Sequence, residues 1–77
     1  MTRKVYHSVP TETGWKVEHK GRTVSNHRTQ AASEAAAVTL GHQAENKGGL
    51  GQAVLHKTNG RIREERTYGA DPRKTPG

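Results

Sequence analysis

Arg61, Arg63 and Arg66 fall within six residues, close behind Lys57, near the end of a 77-residue chain. A guanidinium offers a planar fork of donors that grips a phosphate, or the edge of guanine, with two parallel hydrogen bonds. At a period of two, Arg61 and Arg63 share one face of a strand. Asn59-Gly60 stands between two β-prone runs, and both residues accept positive φ. The pair predicts a type I′ turn in a two-residue hairpin. A basic two-stranded ribbon of this kind fits a B-DNA major groove. Lys16 and Lys20 share a face on an earlier strand, and Arg22 follows them. Lys16, Lys20, Arg22, Lys57, Arg61, Arg63 and Arg66 are thus the candidate nucleic-acid-binding residues. Arg61 and Arg63 are expected to contribute more than Lys47, near the end of a predicted helix. A competing reading is an ordinary solvated face, because Glu18, Glu64 and Glu65 sit among these cations.

Other chemistry is thinner. His7, His19, His27, His42 and His56 are possible imidazole ligands, but no two show a recognised ligand spacing and no cysteine joins them. His7, His19 and His56 fall on predicted strands and read as packed, half-buried residues, so no metal is expected. Ser8, Ser25 and Ser33 lie in no nucleophile setting, and the carboxylates sit on exposed positions. Gly48-Gly49-Leu50-Gly51 lacks the Lys-Ser/Thr and the following helix of a phosphate loop. No catalytic residue, cofactor or small-molecule substrate is expected, and the chain reads as a non-enzyme. Trp15 could stack on a base. Its alternation with Val17 places it in the core instead.

Composition bounds the architecture. Only 29% of residues are apolar, Phe is absent, and Trp15, Tyr6 and Tyr68 are the aromatics. Such a chain fills one thin core, a sheet against a helix, and homodimerisation would be an ordinary remedy for so little of it. The net charge of +6 favours acidic partners, DNA or RNA first. No cysteine is present, which fits a reducing cytoplasm. No apolar run is long enough for a membrane span or a signal-peptide core.

The elements that must carry these residues follow from pattern. Lys4 to Val9 predicts a strand ended by Pro10. Trp15 to Lys20 alternates, with Trp15, Val17 and His19 on one side. Arg22 to Asn26 is a weaker third strand. Ala31 to Glu45 predicts a helix capped by Thr29 or Ser33, with Ala32, Ala36, Leu40 and Ala44 along its inner stripe and Gly41 as a weak point. Asn46 to Gly49 stops it. Gln52 to Lys57 and Arg61 to Tyr68 form the hairpin. The expectation is a two-layer α+β domain of order β-β-β-α-β-β, an antiparallel sheet with one helix on one face, over residues 1–72. Residues 73–77 form a flexible tail.

Val9-Pro10, Gly14-Trp15-Lys16-Val17, Val54-Leu55-His56, Asn59-Gly60-Arg61-Ile62 and Tyr68-Gly-x-Asp-Pro occur in that order and spacing. In this the chain resembles the DUF2188 family of short, uncharacterised bacterial proteins over roughly residues 4 to 72. The helical segment, Thr29 to Gly48, looks a few residues longer than is usual there. The resemblance implies a compact β-β-β-α-β-β fold and implies no activity. Two functional expectations stand together. One is a small basic protein that binds nucleic acid through its strands. The other is a protein–protein interaction module or homodimer without a nucleic-acid role.

Overall fold

The computed structural model describes residues 3–69. Five strands and one helix follow in the order β1 (Arg3–Pro10), β2 (Trp15–His19), β3 (Arg22–His27), α1 (Gln30–Asn46), β4 (Leu50–His56) and β5 (Ile62–Tyr68). The α+β layering is as expected, with α1 packed on one face of a single sheet. Residues 70–77, and with them the expected tail and the Asp71-Pro72 motif, lie outside the described residues.

The sheet order is β3-β2-β1-β4-β5. One feature corrects the expectation of a purely antiparallel sheet: β1 and β4 pair in parallel, Arg3 opposite Leu50 and Ser8 opposite Leu55. The cause is the helix. The meander leaves β3 running in the direction of β1. Seventeen residues of α1 span about 25 Å and carry the chain back along the sheet. β4 therefore starts where β1 starts, and a parallel pair needs such a crossover. This places the apolar run Ala53-Val54-Leu55 in the middle of the sheet, where all three residues are buried.

Thr29 caps the helix, its hydroxyl accepting from the Ala32 N–H at 3.1 Å. Ser33, the other candidate cap, is instead fully buried: Ser8 donates to it at 2.8 Å, and it donates to the Lys16 carbonyl at 3.1 Å. That chain ties β1, α1 and β2 together with no hydroxyl left unpaired. The buried stripe of α1 is Ser33, Ala37, Gly41 and Ala44, one residue along from the expected Ala32, Ala36 and Leu40. Alanines at nearly every position around the first two turns leave no hydrophobic periodicity to read. Gly41 is no weak point. It is where the helix backbone lies against Gly51 of β4. The core cluster is Tyr6, Val17, Ala37, Ala53 and Leu55, with Trp15 also buried.

The turns are exchanged relative to expectation. Lys20 (φ 55) and Gly21 (φ 77) join His19 to its partner Arg22, giving the two-residue turn with both φ values positive. At the last hairpin Gly60 is positive (φ 87) as expected, but Asn59 is not. There the Gly60 N–H donates to Lys57 and the Lys57 N–H to Arg61, a longer loop closed by a glycine bulge.

Candidate functional site

Arg63 and Arg66 stand on β5 and both are tied to carboxylates, whereas Arg61 lies in the loop before the strand. Arg63 reaches across to Glu34 of α1 at 2.5 Å and lies 3.7 Å from Glu64. Arg66 bonds Glu64 at 2.7 Å. The Arg66 hydrogen bond holds the Glu64 carboxyl below its usual range. The reciprocal bond keeps Arg66 more firmly protonated. Lys16 is paired with Glu18 at 2.8 Å. Three of the seven candidate cations are therefore committed to carboxylates.

The other four stand at two corners. Lys57 and Arg61 sit on the β4–β5 loop, beyond Leu55, which pairs with Ser8. Lys20 and Arg22 sit at the opposite end, where the β2–β3 turn lies beside the start of β1. At about 3.3 Å per residue, the two corners are roughly 17 Å apart along the strands, and they lie near opposite edges. The sheet does not gather the seven into one patch.

It gathers a different set. Arg3 and Lys4 begin β1, beside the Lys20–Gly21 turn. Lys4 also lines a cleft of about 290 Å³ with Ala44, Lys47, Gly48 and Gly49, so the helix end brings Lys47 to the same place. Arg3, Lys4, Lys20, Arg22 and Lys47 thus converge on one end of the sheet. None of the five is in an ion pair among the described residues. Glu45, bonded to His42 at 3.3 Å, is the carboxylate nearby in sequence. It and the half-negative C-terminus of the helix leave roughly three and a half positive charges there. Sequence reading misses Arg3 and Lys4 and ranks Lys47 below Arg61 and Arg63, because the three are distant in the chain and joined only by the parallel β1–β4 pairing.

The face away from α1 carries a second cluster. His7 Nδ1 lies 3.1 Å from His56 Nε2. His56 Nδ1–H donates to the Gly60 carbonyl at 2.9 Å, which leaves Nε2 bare and makes His7 the donor of the pair. Glu18 is the cross-strand partner of His7, and Glu65 pairs with Val54, the residue on its other side. Of the other two strand histidines, His19 packs as expected, stacked on Tyr6 at 4.7 Å and bonded to the Val5 carbonyl, and His27 lies 2.8 Å from the Ser25 hydroxyl.

Burial, and next the positive neighbour His56 when charged, push the His7 imidazole below its ordinary value; Glu18 and Glu65 pull the other way. A lowered histidine value means that the folded protein resists taking up this proton. The penalty is absent above pH 6.5, grows as pH falls below it, and levels off below the folded value. Stability should therefore decline as the pH falls below 6.5. Urea unfolding of wild type and His7→Gln across that window checks this: the variant should lack the decline, and equal slopes would refute it.

No group of three or more His, Cys, Asp or Glu among the described residues is placed to hold a metal ion. No described helix is long and apolar enough to cross a membrane. No curated protein and no solved structure matches the chain. A family model does match, over residues 6–68, from the first buried residue of β1 to the end of β5. With α1, β2 to β5 and β1 from Tyr6 onward inside that match, the chain belongs to DUF2188, a family of uncharacterised proteins conserved in bacteria.

Proposed function

We propose that the chain is a small non-enzymatic binding protein that takes up the phosphate backbone of nucleic acid at the basic end of its sheet. The observation that carries this reading is the convergence of Arg3, Lys4, Lys20, Arg22 and Lys47 without carboxylate partners among the described residues. Lys20 adds weight. Its φ of 55 belongs to the left-handed region, where a non-glycine residue costs about 1–2 kcal/mol. Glycine or asparagine would fit that turn position better, so the lysine stands there against the local backbone preference. The hairpin cations Lys57 and Arg61 form a lesser, separate site in this reading.

Each phosphate neutralised on a duplex contributes about −0.9 to the slope of log affinity against log salt. Three to five contacts predict a slope of roughly −3 to −4.5, or about 40- to 500-fold weaker binding between 50 and 200 mM salt. Fluorescence anisotropy with duplex DNA and single-stranded RNA would measure it. Lys20→Gly should flatten the slope by up to about one unit while stabilising the fold by about 1 kcal/mol. Adding Lys4→Ala and Lys47→Ala should flatten it further. Arg61→Ala with Arg63→Ala should do less. Wild-type protein that binds neither probe at 20 mM salt, where electrostatic attraction is strongest, would end this reading.

A second reading, a protein-binding module, is favoured by one observation. Val24 on edge strand β3 is 46% exposed and lines an apolar groove with Ala35, Ala36, Thr39 and Leu40 of the helix. Self-association insensitive to salt, measured by sedimentation, would select it over the first.

A further inference from the structure

We propose that His7 and His56 form a two-imidazole clamp for an exchangeable late first-row divalent cation, with Cu²⁺ held most tightly. Two nitrogens bound side by side to one ion at about 2.0–2.1 Å stand roughly 2.9–3.4 Å apart for bond angles between 90° and the tetrahedral value. His7 Nδ1 and His56 Nε2 are 3.1 Å apart. The separation of the two nitrogens falls in the chelating range, although the hydrogen bond between them aims each at the other. Sequence spacing conceals this, since the residues are 49 positions apart.

The surroundings are those of a ligand pair. The Gly60 carbonyl fixes the His56 ring through Nδ1 at 2.9 Å, the outer contact that orients a metal-binding imidazole and presents Nε2 bare. His7 projects from the interior of β1, and His56 ends the adjacent strand β4 at a bulge after Leu55, where its ring is held by the Gly60 carbonyl. The face they occupy is not covered by α1. Glu65 lies one strand away and supplies negative charge, Glu18 beside His7 is paired with Lys16 at 2.8 Å, and neither carboxylate is placed to ligate.

Occupation requires modest change. The rings meet at 5.3 Å between centroids with a 43° tilt. A cation entering from the solvent side turns each ring off the N–N line, and the outer torsion of histidine is soft. The His7 Nδ1 proton is given up to water and another is taken at Nε2, so the imidazole stays neutral and both metal–nitrogen bonds use lone pairs. With no third protein ligand placed among the described residues, water fills the remaining positions. Such a site follows the intrinsic affinity order for imidazole, in which Cu²⁺ exceeds Ni²⁺ and Zn²⁺, and Mn²⁺ is weakest.

Calorimetric titration of the whole chain with Cu²⁺, Ni²⁺ and Mn²⁺ at pH 7.5 tests the proposal, together with electron paramagnetic resonance of the Cu²⁺ form. The expected result is one Cu²⁺ per chain, tighter than Ni²⁺, with imidazole nitrogen couplings in the spectrum. His7→Ala and His56→Gln should each weaken Cu²⁺ by at least the 10–100-fold that loss of a mere outer-shell partner typically costs. His42→Ala, on the exposed side of α1, should change nothing. Circular dichroism identifies any variant that fails to fold, and the wild-type spectrum decides independently of the variants. Equal affinity in wild type and a folded His7 or His56 variant, or a Cu²⁺ spectrum without imidazole nitrogen, would overturn the clamp.

Discussion

Gly51→Ala should unfold the domain or leave it barely folded. Gly51 is buried on β4 where α1 crosses, and a Cβ there would overlap the carbonyl oxygen of Gly41 and stand 2.8 Å from its Cα. The obstacle is helix backbone, so no rotamer change relieves it. The helix must lift from β4, and the contacts of Ala37 and Ala44 on either side lift with it. Overpacking a core typically costs 1–3 kcal/mol, and a collision with backbone belongs at or above the top of that range. A chain of this length has roughly 4–11 kcal/mol in total. Gly41→Ala makes the informative contrast. Its Cβ would meet the Tyr68 ring at 2.8 Å, so the ring, packed beside His42 at the sheet edge, must shift, but the obstacle is a side chain and not backbone. Alanine also gains about 1 kcal/mol of helix propensity there. Urea unfolding should therefore rank Gly51→Ala far below Gly41→Ala. A Gly51→Ala protein melting within a few degrees of wild type would show that the helix does not rest on β4 at this point.

That contact also marks what the sequence withholds. Strand positions were legible wherever side chains alternate, as at Trp15, Val17 and His19, and the helix stop was legible in Gly48, which takes φ 89. The inner face of the helix was not, because five of the seven residues from Ala31 to Ala37 are alanine and its closest approach is made by a glycine. Hydrophobicity cannot mark a face that packs through the absence of side chains. Turn chemistry was legible in kind but not in place. A lysine took the left-handed position of the two-residue turn, while Asn59, the better candidate, did not.

The site residues follow the same division. A run such as Arg61, Arg63 and Arg66 is visible because its members are near in sequence, and nearness in sequence also brought Glu64 to Arg66. Glu34 reaches Arg63 from the helix, a pairing no spacing could announce. The basic end and the His7–His56 pair both depend on β1 lying parallel to β4. Once that crossover is known, Lys4 must meet the helix end and His7 must stand near His56. Strand order was the missing quantity, and most of the site was hidden behind it.

Trp15→Ala should cost about 3–5 kcal/mol. Trp15 is 8% exposed and begins β2, between Pro10 of β1 and His27 of β3. It lies at the far end of the sheet from the basic cluster and outside the central group of Tyr6, Val17, Ala37, Ala53 and Leu55. A buried indole removes on the order of 200 Å² from water, worth about 5 kcal/mol at 25 cal/mol per Å². A denatured chain that already hides part of that area lowers the figure to about 3–4.5 kcal/mol. The hole opens at the sheet's end, where water can enter, so the loss is mainly one of transfer from water. In a domain this small, 1 kcal/mol shifts the melting temperature by about 4–8 °C, and the variant should lose at least 12 °C. Ile62→Ala, at a residue 51% exposed on β5, should lose less than about 1 kcal/mol in the same assay. If Trp15→Ala melted cooperatively within about 5 °C of wild type, the indole would not be sealing this end of the core, and the fold would rest on the Gly41–Gly51 contact and the Leu55 cluster alone.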